Sequence, residues 1–275
     1  MTGGLTIGPF SFSAGLLTSF VAVLVVLLVG ERLGRKRGAD VELRLWIVVA
    51  VGVIAARAAY VVRFADVYLE SPLTMLDIRD GGFRVLVGLA AAMASAALLG
   101  WRNRLHRVPL LLGASAGAAV FVLAALAERL MPPAAQLPQL TLTRLEGGAL
   151  AIGALAGTPV VVNLWASWCG PCRREMPVLR QAQIEHPEIT FIFVNQAETS
   201  SAIRDYLGRE RMVLNNIVLD TGSVMARTLG SKGLPTTFFF DSSGKLAGRR
   251  VGEVSAATLT EQLASLHRPH PAPSK

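Results

Sequence analysis

The chain has 275 residues, 52% of them hydrophobic, with a mean hydropathy of +0.48 and a formal charge of +8. That length allows one or two domains, and so apolar a composition excludes an ordinary soluble pair. The charge does not point to nucleic acid, because the basic residues sit largely beside apolar stretches and do not form one patch with interleaved aromatics.

Four stretches in the first half are long enough to cross a bilayer as helices, at about 12–30, 44–65, 83–100 and 108–127. Arg32, Arg35, Lys36, Arg37 and Arg44 lie between the first two, and Arg102, Arg104 and Arg107 between the last two. Both loops are therefore expected on the cytoplasmic side. The loop between the second and third stretches carries Asp66, Glu70, Asp77 and Asp80 against a single Arg79, and no Lys or Arg precedes the first stretch. Both of those segments are expected outside, which places everything from Glu128 onward in an extracytoplasmic, oxidising compartment. A cleaved signal peptide is the competing reading of the first stretch, but the positive n-region is missing and the apolar run is long for an h-region.

The domain reading that follows is a four-helix transmembrane domain over 1–127 and a proline-rich connector over 128–139. A periplasmic α/β domain over 140–267 and a flexible tail over 268–275 complete it. In the third segment, apolar strand-like runs at 159–165, 189–195 and 216–220 alternate with helical patterns at 173–185, 201–210 and 222–230. Met176, Leu179, Ala182 and Gln183 share one face of the first helix. Runs at 235–241 and 246–252, separated by "SSGK", read as a hairpin, and a helix over 255–266 is capped by Ser255. This order predicts a central mixed sheet flanked by helices.

The only two cysteines, Cys169 and Cys172, stand two apart in "NLWASWCGPCRREMP". At a helix start the first sulfur meets unpaired N–H groups and the positive end of the helix dipole, both of which favour thiolate. The second sulfur is close enough to resolve a mixed disulfide. Cys169 is thus read as the nucleophile and Cys172 as the resolving thiol. A zinc site would need two more ligands, and His106, His186, His267 and His270 show no partnered spacing, so no metal is expected. A purely structural disulfide this short would constrain little chain entropy.

"VVVNLWASWCGPCRREMP", with "GLPTTFFFD" further on, resembles the thioredoxin fold, and most closely its TlpA/ResA-like thiol:disulfide oxidoreductases, over about 138–266. The resemblance implies that Pro235, after Leu234, is a cis-proline whose loop lies against the cysteines and holds substrate backbone. It also implies that Trp168 shapes the surface around the nucleophile, with ordinary packing as the alternative, while Trp165 belongs to the core. Gly170 and Pro171 resemble the dipeptide of reducing thioredoxins, and Pro177 matches the family's helix-kinking proline. Asn163 stands where thioredoxin carries a buried aspartate, and the resemblance offers Glu198 as the proton-handling group in its place. The alternative for Glu198 is a solvated loop or helix-start residue. No cofactor beyond a Cys169–Cys172 redox disulfide is implied.

"IGPFSFSAGLL", "VIAARAAYVV" and "LTMLDIRDGGFRVLVGLAA" resemble prolipoprotein diacylglyceryl transferase in order and spacing. Leu86 stands where that family has its essential histidine, and its later glycine- and asparagine-rich signature has no counterpart, which argues against lipid transfer. Arg57 falls inside the second span, where a charge is expensive and faces a partner or polar cavity; it is read either as a lipid-headgroup ligand or as a structural charge. Arg63 and Arg84 lie near span ends and can snorkel. The membrane part has no cysteine to relay electrons, so the resemblance implies a separate transmembrane carrier of the DsbD or CcdA type.

The reading as a whole is an inner-membrane, multi-pass thiol:disulfide oxidoreductase that reduces protein disulfides in the periplasm. Net oxidation is one alternative, since local sequence does not fix a reduction potential. A lipid-binding or lipid-modifying protein with an accessory thioredoxin domain is the other.

Overall fold

A computed structural model of the chain describes residues 5–7, 10–12, 14–69, 72–130 and 135–266. Leu5–Ile7 (β1) and Phe10–Phe12 (β2) pair antiparallel, with Thr6 opposite Ser11. The rest divides into a helical unit, Ala14–Pro132, and a unit that includes Pro133–Lys275.

The helical unit holds α1 (Ala14–Lys36), α2 (Glu42–Arg63), the short α3 (Ala65–Leu69), α4 (Val85–Trp101) and α5 (Arg104–Leu130). Stretches of α1, α2 and α5 are long and apolar enough to cross a membrane, whereas α4, with 17 residues, is shorter. The helices approach closely through small residues, as expected where apolar side chains gain nothing by leaving lipid. A Cβ at Gly113 would lie 3.0 Å from the Val26 carbonyl of α1, and one at Gly88 would lie 2.8 Å from the Gly52 carbonyl of α2. Phe20, Leu24, Leu28, Ile54, Val62, Leu98 and Val122 point outward, an arrangement suited to lipid and costly in water.

The second unit begins with β3 (Thr141–Arg144) and β4 (Ala149–Ala151), followed by β5 (Val160–Trp165), α6 (Gly170–Glu185) and β6 (Thr190–Gln196). Then come α7 (Ser200–Arg209), β7 (Ile217–Asp220), α8 (Val224–Thr228), β8 (Thr236–Phe240), β9 (Leu246–Val251) and α9 (Ala256–Leu266). The sheet order is β4-β3-β7-β6-β5-β8-β9, with β5, β6 and β7 parallel and the outer strands antiparallel to their neighbours. This is the thioredoxin-like mixed sheet expected from the pattern.

Period-two alternation sends β5 side chains to opposite faces. Val161 and Trp165 meet α6, α7 and α9, while Val160, Val162 and Leu164 meet Met225 of α8 and Ile152. A strand buried on both faces reads as a continuous apolar run, and β5 is one. The turn between β8 and β9 closes through Gly244, at φ +76°, whose N–H donates to the Asp241 carbonyl.

The connector expected over 128–139 is shorter, because α5 runs through Leu130 and Leu137 is buried, its N–H bonded to the Gly244 carbonyl. Residues 131–134 of that stretch, and the tail 268–275, lie outside the described residues. The third span, expected at about 83–100, is helix Val85–Trp101.

Phe193 of β6 is fully buried on the α6 face. Phe193→Ala should lower the unfolding free energy of the second unit by about 3–5 kcal/mol. Denaturant titration of the full chain in mild detergent checks this, and a change below about 1 kcal/mol would mean the site collapses around the deletion.

Candidate functional site

Strand register gathers the site at one end of the sheet. Trp165 pairs with Asn195 across parallel β5 and β6, so the segments following both strands emerge together. Leu164 pairs with Thr236 across antiparallel β5 and β8, which brings the start of β8 to the same end. The cysteine turn, the Glu198 loop and the Leu234–Pro235 loop therefore converge there. The Leu234–Pro235 peptide is cis; Pro235 is buried, Leu234 half-buried, and the Pro235 carbonyl accepts from Gly252 N–H at 2.9 Å.

Cys169 caps the amino terminus of α6: its sulfur accepts from the Cys172 N–H at 3.2 Å, and Gly170 and Pro171 open the helix. The two sulfurs are joined in a disulfide, with S–S 2.06 Å. Cys169 retains 5% exposure whereas Cys172 has none. Trp168, just before Cys169, is 71% exposed. Arg173 and Arg174, in the first turns of the helix, pair with Glu210 and Glu253 at 2.8 and 2.7 Å. Trp165 is fully buried against Tyr206, ring centroids 5.6 Å apart.

Glu198 lies beside the cysteine turn. One carboxylate oxygen accepts from Ser167 N–H and from Asn195 Nδ2, both at 2.7 Å, and the other accepts from the Ser167 hydroxyl. Its oxygens thus hold the backbone two residues ahead of Cys169.

A second carboxyl was not singled out in the sequence. Glu175, one turn beyond Cys172 on α6, is fully buried. Asn163 Nδ2 of β5 donates to its Oε1 at 2.7 Å, and Val254 N–H donates to its Oε2 at 2.9 Å. Asn163 Nδ2 also reaches Thr237 Oγ1 of β8 at 3.0 Å. Burial pushes this carboxyl up to about 8 from its ordinary 4.5, with Glu253 pushing the same way, against the two hydrogen bonds and Arg250. The signal was available: Cys172, Glu175, Met176 and Leu179 fall at the spacing of one helix face, and a charge on that apolar face asks for a function.

Arg57 is engaged within the helical unit. Its Nη1 donates to Asp80 Oδ1 at 2.8 Å and to the Gly82 carbonyl at 3.0 Å, and its Nε to the Met75 carbonyl at 3.1 Å. Its Nη2 faces the carbonyls of Thr74, Met75 and Asp77 at 3.3, 3.0 and 2.9 Å. A guanidinium has five N–H donors, and the loop before α4 uses them all. Asp80, one of the acidic residues of the loop between the second and third stretches, is buried in this network and also accepts from the Tyr68 hydroxyl at 2.8 Å. Among the described residues no group of His, Cys, Asp and Glu is arranged to hold a metal ion.

Residues 132–263 match the Redoxin family, and residues 4–131 match prolipoprotein diacylglyceryl transferase. Thiol-disulfide oxidoreductase ResA of Bacillus thuringiensis (strain Al Hakam) is 30% identical over 118 residues, covering 42% of this chain and 68% of ResA. Thiol:disulfide interchange protein DsbE of Pseudomonas fluorescens biotype C is 28% identical over 114 residues, covering 42% of this chain and 63% of DsbE. The solved structure of MTB dsbF in its mixed oxidized and reduced forms is 27% identical with a TM-score of 0.44, covering 46% of this chain and 95% of that one. With its two cysteines at the head of α6 and this relationship to ResA, the chain belongs to the ResA-like thiol-disulfide oxidoreductases.

Proposed function

We propose that the protein is anchored in the bacterial inner membrane by its helical unit, holds its redox domain in the periplasm, and reduces disulfides of other proteins there. The observation that carries the chemistry is the succession along one helix of Cys169, the less buried of the two cysteines, and the fully buried Cys172 and Glu175. The basic loops after α1 and after α4 support the orientation, since Lys and Arg accumulate on the cytoplasmic side.

In this reading the Cys169 thiolate attacks one sulfur of a substrate disulfide. A mixed disulfide forms, the substrate S–S bond breaks, and the departing substrate sulfur takes up a proton. Cys172 then gives its proton to the Glu175 carboxylate and attacks the Cys169 sulfur. The intramolecular disulfide closes and the second substrate thiolate leaves, to be protonated from solvent. Two electrons pass to the substrate. A carboxyl at about 8 is mostly protonated at neutral pH, which suits the state of Glu175 once the disulfide has closed. A transmembrane thiol carrier of the DsbD or CcdA type returns two electrons, and the stored proton goes back to Cys172.

Trp168, Gly170, Pro171 and the Leu234–Pro235 loop form the surface on which the substrate chain rests. Glu198, expected from the resemblance to handle protons, is assigned instead to positioning, because its oxygens bind the turn that presents Cys169. Lipid transfer is not proposed: the Arg57 donors are taken within the chain, and Leu86 stands where the transferase family has histidine.

The redox state of the cysteine pair in cells tests the direction of electron flow. Alkylation-shift assays should find a dithiol in cells with the carrier and a disulfide once the carrier is deleted; a disulfide in both backgrounds would mean net oxidation. Glu175 makes a pH prediction. The folded state binds a proton that the unfolded chain has released between pH 4.5 and about 8, so its contribution to stability falls as pH rises through that window and levels off above it. Glu175→Gln should flatten this slope in the oxidised protein and slow the closing of the disulfide by Cys172. Glu198→Gln should leave the stability slope in place, and the opposite pattern would return the proton role to Glu198.

A further inference from the structure

The segment joining α3 to α4 does not sit above the bundle as an ordinary surface loop. The Arg84 N–H donates to the Ala56 carbonyl at 3.0 Å. Ala56 lies seven residues before the end of α2 at Arg63, about 10 Å down its axis at 1.5 Å per residue. The close approach of Gly88 to Ala56 and to the Gly52 carbonyl fixes the same register between α2 and α4. Helix α4 therefore starts well below the end of its neighbour, and its 17 residues measure about 26 Å against about 33 Å for the 22 residues of α2. The backbone over 72–84 occupies the level that α4 leaves open.

Its polarity is inverted relative to a loop in water. The carbonyls of Thr74, Met75, Asp77 and Gly82 turn inward onto Arg57, and the Asp80 carboxylate takes Arg57, the Gly82 N–H and the Tyr68 hydroxyl. Leu73 and Leu76 turn outward, 87% and 83% exposed, and Ile78 follows at 64%. Pro72–Leu76 and Ile78–Asp80 are short 3-10 turns and not α-helix; such backbone is tolerated at membrane depth only where protein satisfies its polar groups, and here the guanidinium fork binds the carbonyls of Met75, Asp77 and Gly82.

We propose that residues 72–84 form a re-entrant element seated in the outer half of the bilayer, with Leu73, Leu76 and Ile78 packed against lipid acyl chains and Arg57 as the internal anchor of its backbone. The inference rests on the membrane-spanning reading of the helical unit given above. It explains why a charge inside an apolar helix coexists with a short fourth helix: the arginine closes the hydrogen bonds that a longer α4 would have made for itself.

Collision accessibility of nitroxide labels tests it on the full chain in phospholipid nanodiscs. Leu73→Cys, Leu76→Cys, Ile54→Cys and Val213→Cys are labelled one at a time, with Cys169 and Cys172 replaced by Ser. Ile54, 67% exposed in the middle of α2, reports the membrane, and Val213, 74% exposed in the redox domain, reports water. Labels at 73 and 76 are expected to lose collisions with an aqueous nickel chelate and to gain collisions with oxygen, as the label at 54 does. Water-like collisions at 73 and 76 beside lipid-like collisions at 54 would overturn the inference, as would shielding from both reagents, which would mean a protein surface covers the leucines. Water-like collisions at 54 as well would overturn the membrane-spanning reading itself.

Discussion

A carboxyl with no exposed surface, tied to the sheet by Asn163 and to the segment before α9 by Val254, holds the redox domain together at its chemical centre. Glu175 links three parts of the fold: α6 that carries both cysteines, β5 that leads into their turn, and the stretch that follows β9. The neighbouring residue of that stretch, Glu253, pairs with Arg174 on the surface of the same helix. A buried carboxyl is expensive in charged form, and the two hydrogen bonds only partly offset that cost. The result is a group poised near neutrality, one turn from the sulfur that must lose a proton when the disulfide closes.

Asn163 has meaning in this setting. A titrating residue at that position would place two acids against each other in the core. An amide donates to Glu175 and to Thr237 at once and adds no charge of its own. The ionisable group of this core therefore sits on the helix and not on the strand. Glu198 does complementary work at the rim, where it fixes the backbone ahead of Cys169 and leaves the exposed Trp168 to face a partner.

Much of this was legible in the sequence because apolar periodicity and turn chemistry are local signals. The strands β5, β6 and β8, the hairpin turn, and the cysteine pair at a helix start all follow from runs of a few residues. Glu175 escapes a local reading for a physical reason: it stands between Arg174 and Met176 near the start of the helix, and the apolar spacing of Met176, Leu179 and Ala182 does not include it. Strands β3 and β4 are four and three residues long and owe their existence to pairing with β7 and with each other, which no local pattern announces. Arg57 stands out by its depth in an apolar helix, but apart from the Asp80 carboxylate its partners are backbone carbonyls some twenty residues away, and carbonyls leave no trace in side-chain sequence. The helical unit and the redox domain thus both bury ionisable groups, Arg57 with Asp80 in one and Glu175 in the other, and satisfy them from within the chain.

The central claim is that the carboxyl of Glu175, in the disulfide state, holds its proton through neutrality. Selective 13C labelling of glutamate carboxyls, with the Glu175 resonance assigned by its loss in Glu175→Gln, measures this directly on the oxidised protein. A titration midpoint near 8 would agree with the account, and a midpoint near the ordinary value of 4.5 would contradict it.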